Sequence, residues 1–433
     1  MRKGSLNAET SSVGLHAEHA TGNKDMVPFD PTDITSSHHK ADPYRFYARL
    51  RDEAPVCRVR IPPGRQEAWL VTRYDDVSNL LKDPRLAKDA SNALDPAELK
   101  RQPRPPGFLR PLTRNMLALD DPDHARLKKL VQQAFTPRRI AAMSDRTQAI
   151  ADELLDGLQH RASFDLIKDY ALPLPVTVIS EMLGVPKADR ARFARWSRTL
   201  ITTPPRPTRI LMALPHMLAF TRYLKWLVAE KRDAPTDDLV SALVDVQAAG
   251  DRLDGEELLA MIAILLSAGH ETTTNLIGNG MFSLLRHPEQ CERLRSEPEL
   301  IETAVEELLR YESPAETSTP RYAREDLEIA GQCIPRGALV LGIIASANRD
   351  ERVFPDADRL DLARDPNRHL SFGLGTHFCV GAALARMEGR VAIGTILRRL
   401  PDLRLAVEQT PVAWRGGLVL RGLTRLPVAQ RRA

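Results

Sequence analysis

The chain is short of cysteine, aromatic residues, long apolar runs and net charge. Its four cysteines, Cys57, Cys291, Cys333 and Cys379, lie far apart along 433 residues. So few and so scattered, they build no disulfide framework, and a reducing cytoplasm is the expected location. A net charge of +4 over this length excludes the concentrated basic surface that a nucleic-acid binder needs. No apolar run approaches the roughly 18 residues that cross a bilayer. The longest, Leu258 to Leu266, belongs to a larger helical pattern. No internal repeat is present either, which excludes solenoids and arrays.

What remains is an ordinary soluble composition, 43% apolar and 27% charged. Residues 1–28 are polar, without the apolar core of a secretion signal, and read as a flexible tail. Residues 29–433 read as the functional domain.

The most informative stretch is Phe372-Gly373-Leu374-Gly375-Thr376-His377-Phe378-Cys379-Val380-Gly381, followed by Ala382-Ala383-Leu384-Ala385-Arg386. Two glycines can take backbone angles denied to other residues and let the loop lie flat against a planar partner. Cys379 precedes a helix start, where unpaired N–H groups favour a thiolate. A zinc site of His369, His377 and Cys379 lacks a suitably spaced further pair. A cysteine hydrolase would need a His and an Asn or Asp arranged around Cys379, which nothing in the sequence supplies.

A second constellation opens at Asp254 and Glu257, a capping-box pair. A helical period runs through Leu258, Met261, Ile262 and Leu265 to Arg286, before Pro288. In its middle stands Ala268-Gly269-His270-Glu271-Thr272-Thr273-Thr274. Gly and three Thr are poor in a helix interior, and Thr hydroxyls can bond back one turn and bend it. Such a weakened turn fits a site, though a helix crossing would also tolerate it.

Elsewhere the pattern predicts a helix from Asp42 to Glu53, strands at Val56–Ile61 and Ala68–Thr72, and an irregular, proline-rich binding loop from Leu86 to Asn115. A helix containing His124 and Lys128, four apart on one face, follows. Another, from Thr208 to Lys231, carries Met212, Met217, Phe220, Tyr223 and Trp226 as expected core residues. Glu307 and Arg310 sit three apart on a helix from Glu299 to Tyr311. Strands are expected at Thr317–Tyr322, Leu327–Ala330 and Ala338–Ala345, with a hairpin over Trp414–Val428. Glu316 reads as a surface carboxylate.

The run Phe-Gly-x-Gly-x-His-x-Cys-x-Gly resembles the cysteine-ligand signature of the cytochrome P450 family at every position. Ala268-Gly269-His270-Glu271-Thr272 resembles the family's Ala/Gly-Gly-x-Asp/Glu-Thr element, and Glu307-Leu308-Leu309-Arg310 its Glu-x-x-Arg element, all in family order. The resemblance spans about Asp42 to Val428. It implies a mainly α single domain with a small β-rich part. It also implies haem b, with Cys379 as axial ligand to the iron and Phe372, Gly373 and Gly381 shaping the loop. A thiolate ligand pushes electron density onto iron and favours O–O cleavage. His124, Lys128, Arg321 and His377 would hold the haem propionates, with Lys128 standing where Arg is common. Gly269 would give dioxygen room, while Glu271 and Thr272 manage protons. Glu307, Arg310 and Arg359 would form a buried structural network, Arg359 lying in Pro355-Asp356-Ala357-Asp358-Arg359-Leu360-Asp361.

The implied activity is insertion of one atom of O2 into a hydrophobic small molecule: a polyketide, macrolide, terpenoid, steroid or fatty acid. Electrons would come from NAD(P)H through a separate ferredoxin and ferredoxin reductase, docking near Lys128, Lys129, Arg138 and Arg139, with the enzyme a monomer. Pocket residues are expected at Ile264, Ser267, Ala268, Ala315, Thr317 and Thr319, and along the 86–115 loop. Within the same fold, a peroxide-driven peroxygenase or a non-catalytic recruitment module are the alternatives. Both usually lack the Glu-Thr pair or the cysteine, which this chain keeps.

Overall fold

The computed structural model describes residues 34–61, 66–101, 114–193, 195–196, 207–248, 254–406 and 412–430. The tail at 1–28 and residues 102–113 of the proline-rich loop lie outside them.

The chain is mostly helical, with its strands gathered in small sheets. After helix α1 (Tyr44–Glu53) come β1 (Val56–Ile61) and β2 (Gln66–Val71), then α2 (Tyr74–Leu80) and β3 (Leu86–Ala87). Helices α3 (Asp123–Ala134), α4 (Pro137–Asp156), α5 (Pro173–Met182), α6 (Pro207–Asp233) and α7 (Leu239–Ala248) lead to the longest element, α8 (Gly255–Arg286). Helix α9 (Ile301–Tyr311), strands β4 (Arg321–Ala323) and β5 (Leu339–Gly342), helix α10 (Ala382–Arg399) and the hairpin β6 (Ala413–Trp414) and β7 (Leu423–Arg425) follow.

Strands β1 to β5 form one sheet in the order β1-β2-β5-β4-β3. Antiparallel β1 and β2 pair Cys57 with Leu70, while β2 and β5 run parallel, Ala68 opposite Leu339. Strand β5, Leu-Val-Leu-Gly, is buried throughout, as its central place and continuous apolar run require. One large apolar core joins α3 to α10, and two smaller ones cover the faces of the sheet.

Helix α8 starts where the sequence places it. The Asp254 carboxylate accepts from Glu257 N at 2.7 Å, and Glu257 accepts from Asp254 N at 3.2 Å. Such a cap is worth about 1 kcal/mol. Glu257 also takes Arg126 Nη2 at 2.7 Å, tying α3 to the foot of α8. Glycine brings α10 close beneath: a Cβ at Gly389 would stand 2.9 Å from Leu276 Cδ2, and one at Gly280 3.3 Å from Ile393 Cδ1.

Four expectations need correction. On α6, Met217, Phe220 and Tyr223 are buried, but Met212 is 70% and Trp226 47% exposed, so the apolar residues exceed the face that packs inward. Residues 317–319 lie outside any strand, and Ile344–Ala347 is a helical turn. Glu316 is fully buried, its carboxylate held by Lys40 Nζ and Tyr47 O–H.

Arg359 is the fourth. Glu307 and Arg310 form a buried bidentate pair at 2.7 and 2.8 Å. The third side chain is Arg364, whose Nε reaches Glu307 Oε1 at 3.2 Å. Arg359 is exposed and contributes only its carbonyl, which accepts from Arg310 Nη2 at 3.2 Å. Asn367 Nδ2 and Asp361 N complete the carboxylate's shell at 3.1 and 3.0 Å. Arg310 spends its remaining donor on the carbonyls of Asn348 and Ala357, both at 2.8 Å. Every lone pair is met, as a buried ion pair requires.

Candidate functional site

Midway along α8, burial breaks. Leu265 and Leu266 are buried and so are Thr273 to Met281, yet Ala268 is exposed and Gly269 and Thr272 are half-buried. One turn of an otherwise buried helix therefore faces open space. The threonine hydroxyls bond back as their chemistry predicts: Thr272 to Ala268 O at 2.6 Å, Thr273 to Gly269 O at 3.0 Å and Thr274 to His270 O at 2.8 Å. The helix nevertheless runs unbroken, because the four-residue ladder survives beside these extra bonds. A Cβ at Gly269 would meet only Ile179, at an ordinary 3.4 Å.

The cysteine loop is built on positive φ at Gly373 (+68°) and Gly375 (+71°), angles that only glycine takes without strain. At Gly375 a Cβ would also press Leu81 O at 3.3 Å. The turn closes with Cys379 N donating to Phe372 O at 3.0 Å, and α10 begins three residues later. A Cβ at Gly381 would lie 3.9 Å from Cys379 Sγ, so glycine there keeps the approach to sulfur low. Cys379 is exposed, though protein surrounds its sulfur on most sides. That desolvation raises the thiol, against the pull of Gly381 N–H, Arg386 and Lys128. Arg386 stacks on the Phe372 ring at 4.3 Å and pairs with Glu306 at 2.6 Å. Glu306 also takes His369 Nε2 at 3.0 Å, so His369 is engaged away from the thiol. Asn348 fixes the loop's approach, accepting from Leu370 N at 2.7 Å and donating to Ser371 Oγ at 2.9 Å. The Glu307–Arg310 network therefore reaches the start of the cysteine loop, at Leu370 and Ser371, through one asparagine.

Beside this loop the structure gathers basic side chains. His124 and His377 stack with ring centroids 3.9 Å apart. Lys128 Nζ donates to the carbonyls of Thr376 and Phe378. Arg321 is buried, with one donor on Leu81 O at 3.1 Å and its Nε unpartnered. Lys88, which nothing in the sequence pattern singled out, is buried with them and donates to Thr319 Oγ1. Burial pushes His377 down to about 2, helped by the charges of His124, Lys88, Arg321 and Lys128. Burial likewise lowers Lys88 to about 7 and Arg321 to about 10, with Asp120 opposing both. His124 and Lys128 are also lowered by burial. Basic groups packed this way are pushed toward their neutral forms for want of an anion, and the donor set fits a group carrying two carboxylates, which would favour their charged forms.

The expected pocket residues divide. Ile264 and Ser267 are half-buried beside the exposed Ala268, and Ala315 pairs in an isolated bridge with Leu420. Thr317 is buried and gives its proton to the carbonyls of Ser318 and Leu418, and Thr319 is taken by Lys88. Thr317 thus spends its proton on the backbone, whereas Thr319, which only accepts from Lys88, keeps its own proton to donate. Glu271, only 3% exposed, is ion-paired with Arg415 from the β6–β7 loop. Sequence spacing contains no signal for that partner, 144 residues away by the difference of the two numbers.

A thiol-bearing loop beside a helix with one open turn, flanked by basic side chains short of anions, is the architecture of a haem-thiolate enzyme. The comparisons agree. The family model for cytochrome P450 matches residues 220–402. The chain is 45% identical over 406 residues to cytochrome P450 107B1 of Saccharopolyspora erythraea, covering 93% of this chain and 97% of that one. It is 42% identical over 402 residues to the 6-deoxyerythronolide B hydroxylase of the same organism, covering 92% and 98%. A crystal structure of the myxobacterial cytochrome P450 CYP267B1 with myristic acid superposes with a TM-score of 0.87 at 41% identity, over 92% of this chain and 99% of that one. The chain belongs to the cytochrome P450 family and is a monooxygenase. No helix among the described residues is long and apolar enough to cross a membrane.

Proposed function

We propose that residues 29–433 form one domain that binds haem b through Cys379 and oxygenates a hydrophobic small molecule of the polyketide or macrolide kind. The observation that carries this reading is the cluster of basic side chains beside the cysteine loop, buried or half-buried and short of anions. His124, His377, Lys128, Arg321 and Lys88 would hold the two propionates. When bound, the haem supplies the binding of O2 and the redox chemistry by which one oxygen atom enters the substrate.

The chain's residues supply the rest. Gly373, Gly375 and Gly381 hold the loop low, and Phe372, pinned under Arg386, fixes its starting side. The turn at exposed Ala268 and half-buried Gly269 would leave room for dioxygen on the bound haem. Glu271 supplies protons, and the Thr272 hydroxyl, 2.6 Å from Ala268 O, is placed to orient the group that receives them. Ile264, Ser267, Ala268, Ala315, Thr317 and Thr319 would line the substrate side. The reaction is hydroxylation or epoxidation, the first supported by the name of the 6-deoxyerythronolide B hydroxylase. Electrons come from NAD(P)H through a ferredoxin and its reductase, meeting exposed Lys129 and Arg138 and the 42%-exposed Phe378. Lys128 and Arg139 are engaged, the latter with Asp237 at 2.8 Å. The enzyme acts as a monomer in the cytoplasm.

The test is the reduced, carbon-monoxide difference spectrum. A thiolate-type Soret band that is lost in Cys379→Ala is expected, whereas a histidine-type band that persists in the variant overturns the assignment. Spin-state shifts across a library of macrolides, terpenoids, steroids and fatty acids then identify the substrate class.

A further inference from the structure

A cleft of about 640 Å³ opens to solvent where α4, α10 and the helix Pro288–Ser296 meet the start of α9. Its α10 residues run from Arg390 to Arg398, about 12 to 24 Å along the helix from Ala382 at ~1.5 Å per residue. The cleft is thus a separate place from the cysteine loop. Its volume falls within the roughly 300–1,000 Å³ of small-molecule sites.

The lining divides by chemistry. Leu294, Ile301 and Val391 form an apolar wall. Gly394 stands among them without a side chain, and a Cβ there would meet only Ile301, at 4.0 Å. Arg295, Arg390 and Arg398 share the lining, and among the described residues no carboxylate does. The acids that pair with these arginines sit outside. Arg295 Nη1 donates to Glu292 at 2.9 Å and Arg390 Nη1 to Glu302 at 3.0 Å, and both carboxylates are more than two-thirds exposed. Arg398 stands 3.9 Å from Asp152, which already accepts from Arg399 at 3.2 Å and from Gln148 at 2.8 Å. Arg295 Nε is buried and has no partner. Exposed pairs of this kind contribute little and give way to a better anion. A buried donor, by contrast, is ordinarily met by an acceptor.

Three guanidiniums beside an apolar wall complement an organic anion charged at one end. The guanidinium fork matches phosphate oxygens, and three positive charges suit a dianion better than a monoanion. We propose that this cleft is a second ligand site, taking a phosphate monoester with an apolar body. The phosphate lies among Arg295, Arg390 and Arg398. The apolar part covers Gly394 and packs on Leu294, Ile301 and Val391.

The test is calorimetric titration of haem-loaded enzyme with hexyl phosphate, with hexanoate, hexanol and inorganic phosphate for comparison, while the Soret band is recorded. Hexyl phosphate is expected to bind one to one without a Soret change, about ten-fold or more tighter than each comparison compound. Gly394→Leu fills the floor of the cleft, and Arg390→Gln with Arg398→Gln removes two of its cations. Each is expected to weaken hexyl phosphate by about ten-fold or more. The carbon-monoxide spectrum and Tm check that the variants fold, and the arginine pair keeps the test open if Gly394→Leu does not. No binding, a Soret shift that tracks binding, or an affinity unchanged in the folded variants overturns the site. Hexanoate binding as tightly as hexyl phosphate overturns the phosphate assignment.

Discussion

Glu271 on α8 is ion-paired with Arg415 on the loop between β6 and β7. That loop also carries Val419, whose carbonyl accepts from the backbone N–H of Glu316 at 2.8 Å. One loop thus touches both the acid proposed to supply protons and the segment beside the substrate space. Arg415→Leu would strand a buried carboxylate, at a cost of about 3 kcal/mol, since Arg415 is itself partly exposed. A fall in Tm that Glu271→Gln relieves in the double variant is expected. Additive losses would show that the pair is not coupled.

Lys88 tests the cation cluster. Its ammonium is held near 7, against an ordinary 10.5. A lysine lowered on folding favours the folded state above pH 10.5, and that contribution is lost as pH falls toward 7, at about 1.4 kcal/mol per pH unit. Haem-free protein should therefore gain stability between pH 7 and 10, and Lys88→Met should remove the gain. The same variant should lose haem faster to an acceptor protein. Unchanged haem loss would take Lys88 out of the propionate set.

The buried network separates two arginines that look alike in sequence. Arg364→Ala removes a side chain bonded to Glu307 and should destabilise the fold by about 3–5 kcal/mol. Arg359→Ala leaves the carbonyl used by Arg310 in place and should stay within about 0.5 kcal/mol of wild type. Urea unfolding of the two variants decides it.

Glu388 on α10 is 1% exposed, and its Oε2 has no partner. Burial raises it to about 8 from an ordinary 4.5. A carboxyl raised on folding favours the folded state below pH 4.5, and that advantage is lost as pH climbs through 8, by up to roughly 4–5 kcal/mol. Glu388→Gln should raise Tm clearly at pH 8.5 and little at pH 5. An equal effect at both would mean that the carboxyl is charged or paired throughout.

Much of the fold was legible because its signals are local. The Asp254–Glu257 cap, the glycines of the cysteine loop and the strand pair around 62–65 follow from neighbouring residues. What escaped depends on distant partners. Arg364 and Arg359 lie five apart in one polar stretch, and only the tertiary path decides which side chain turns inward. Glu316 looked like a surface carboxylate because Lys40 and Tyr47, which bury it, lie more than 260 residues earlier. Lys88 and Arg415 were missed for the same reason. The exposure of Met212 and Trp226 escaped because α6 is apolar on several sides, and periodicity alone does not choose among them.

The buried contact of Lys40 with Glu316 has a practical meaning for protein production. Glu316 N–H holds Val419 and its carbonyl accepts from Ala345 N at 3.0 Å, so the short helix Ser37–Ala41 braces the wall beside the active site from behind. A shortened version beginning near Arg45 would retain every signature residue from His124 to Cys379. It would leave a carboxylate sealed inside without its cation, and a preparation judged by its motifs alone would be mistaken for intact enzyme.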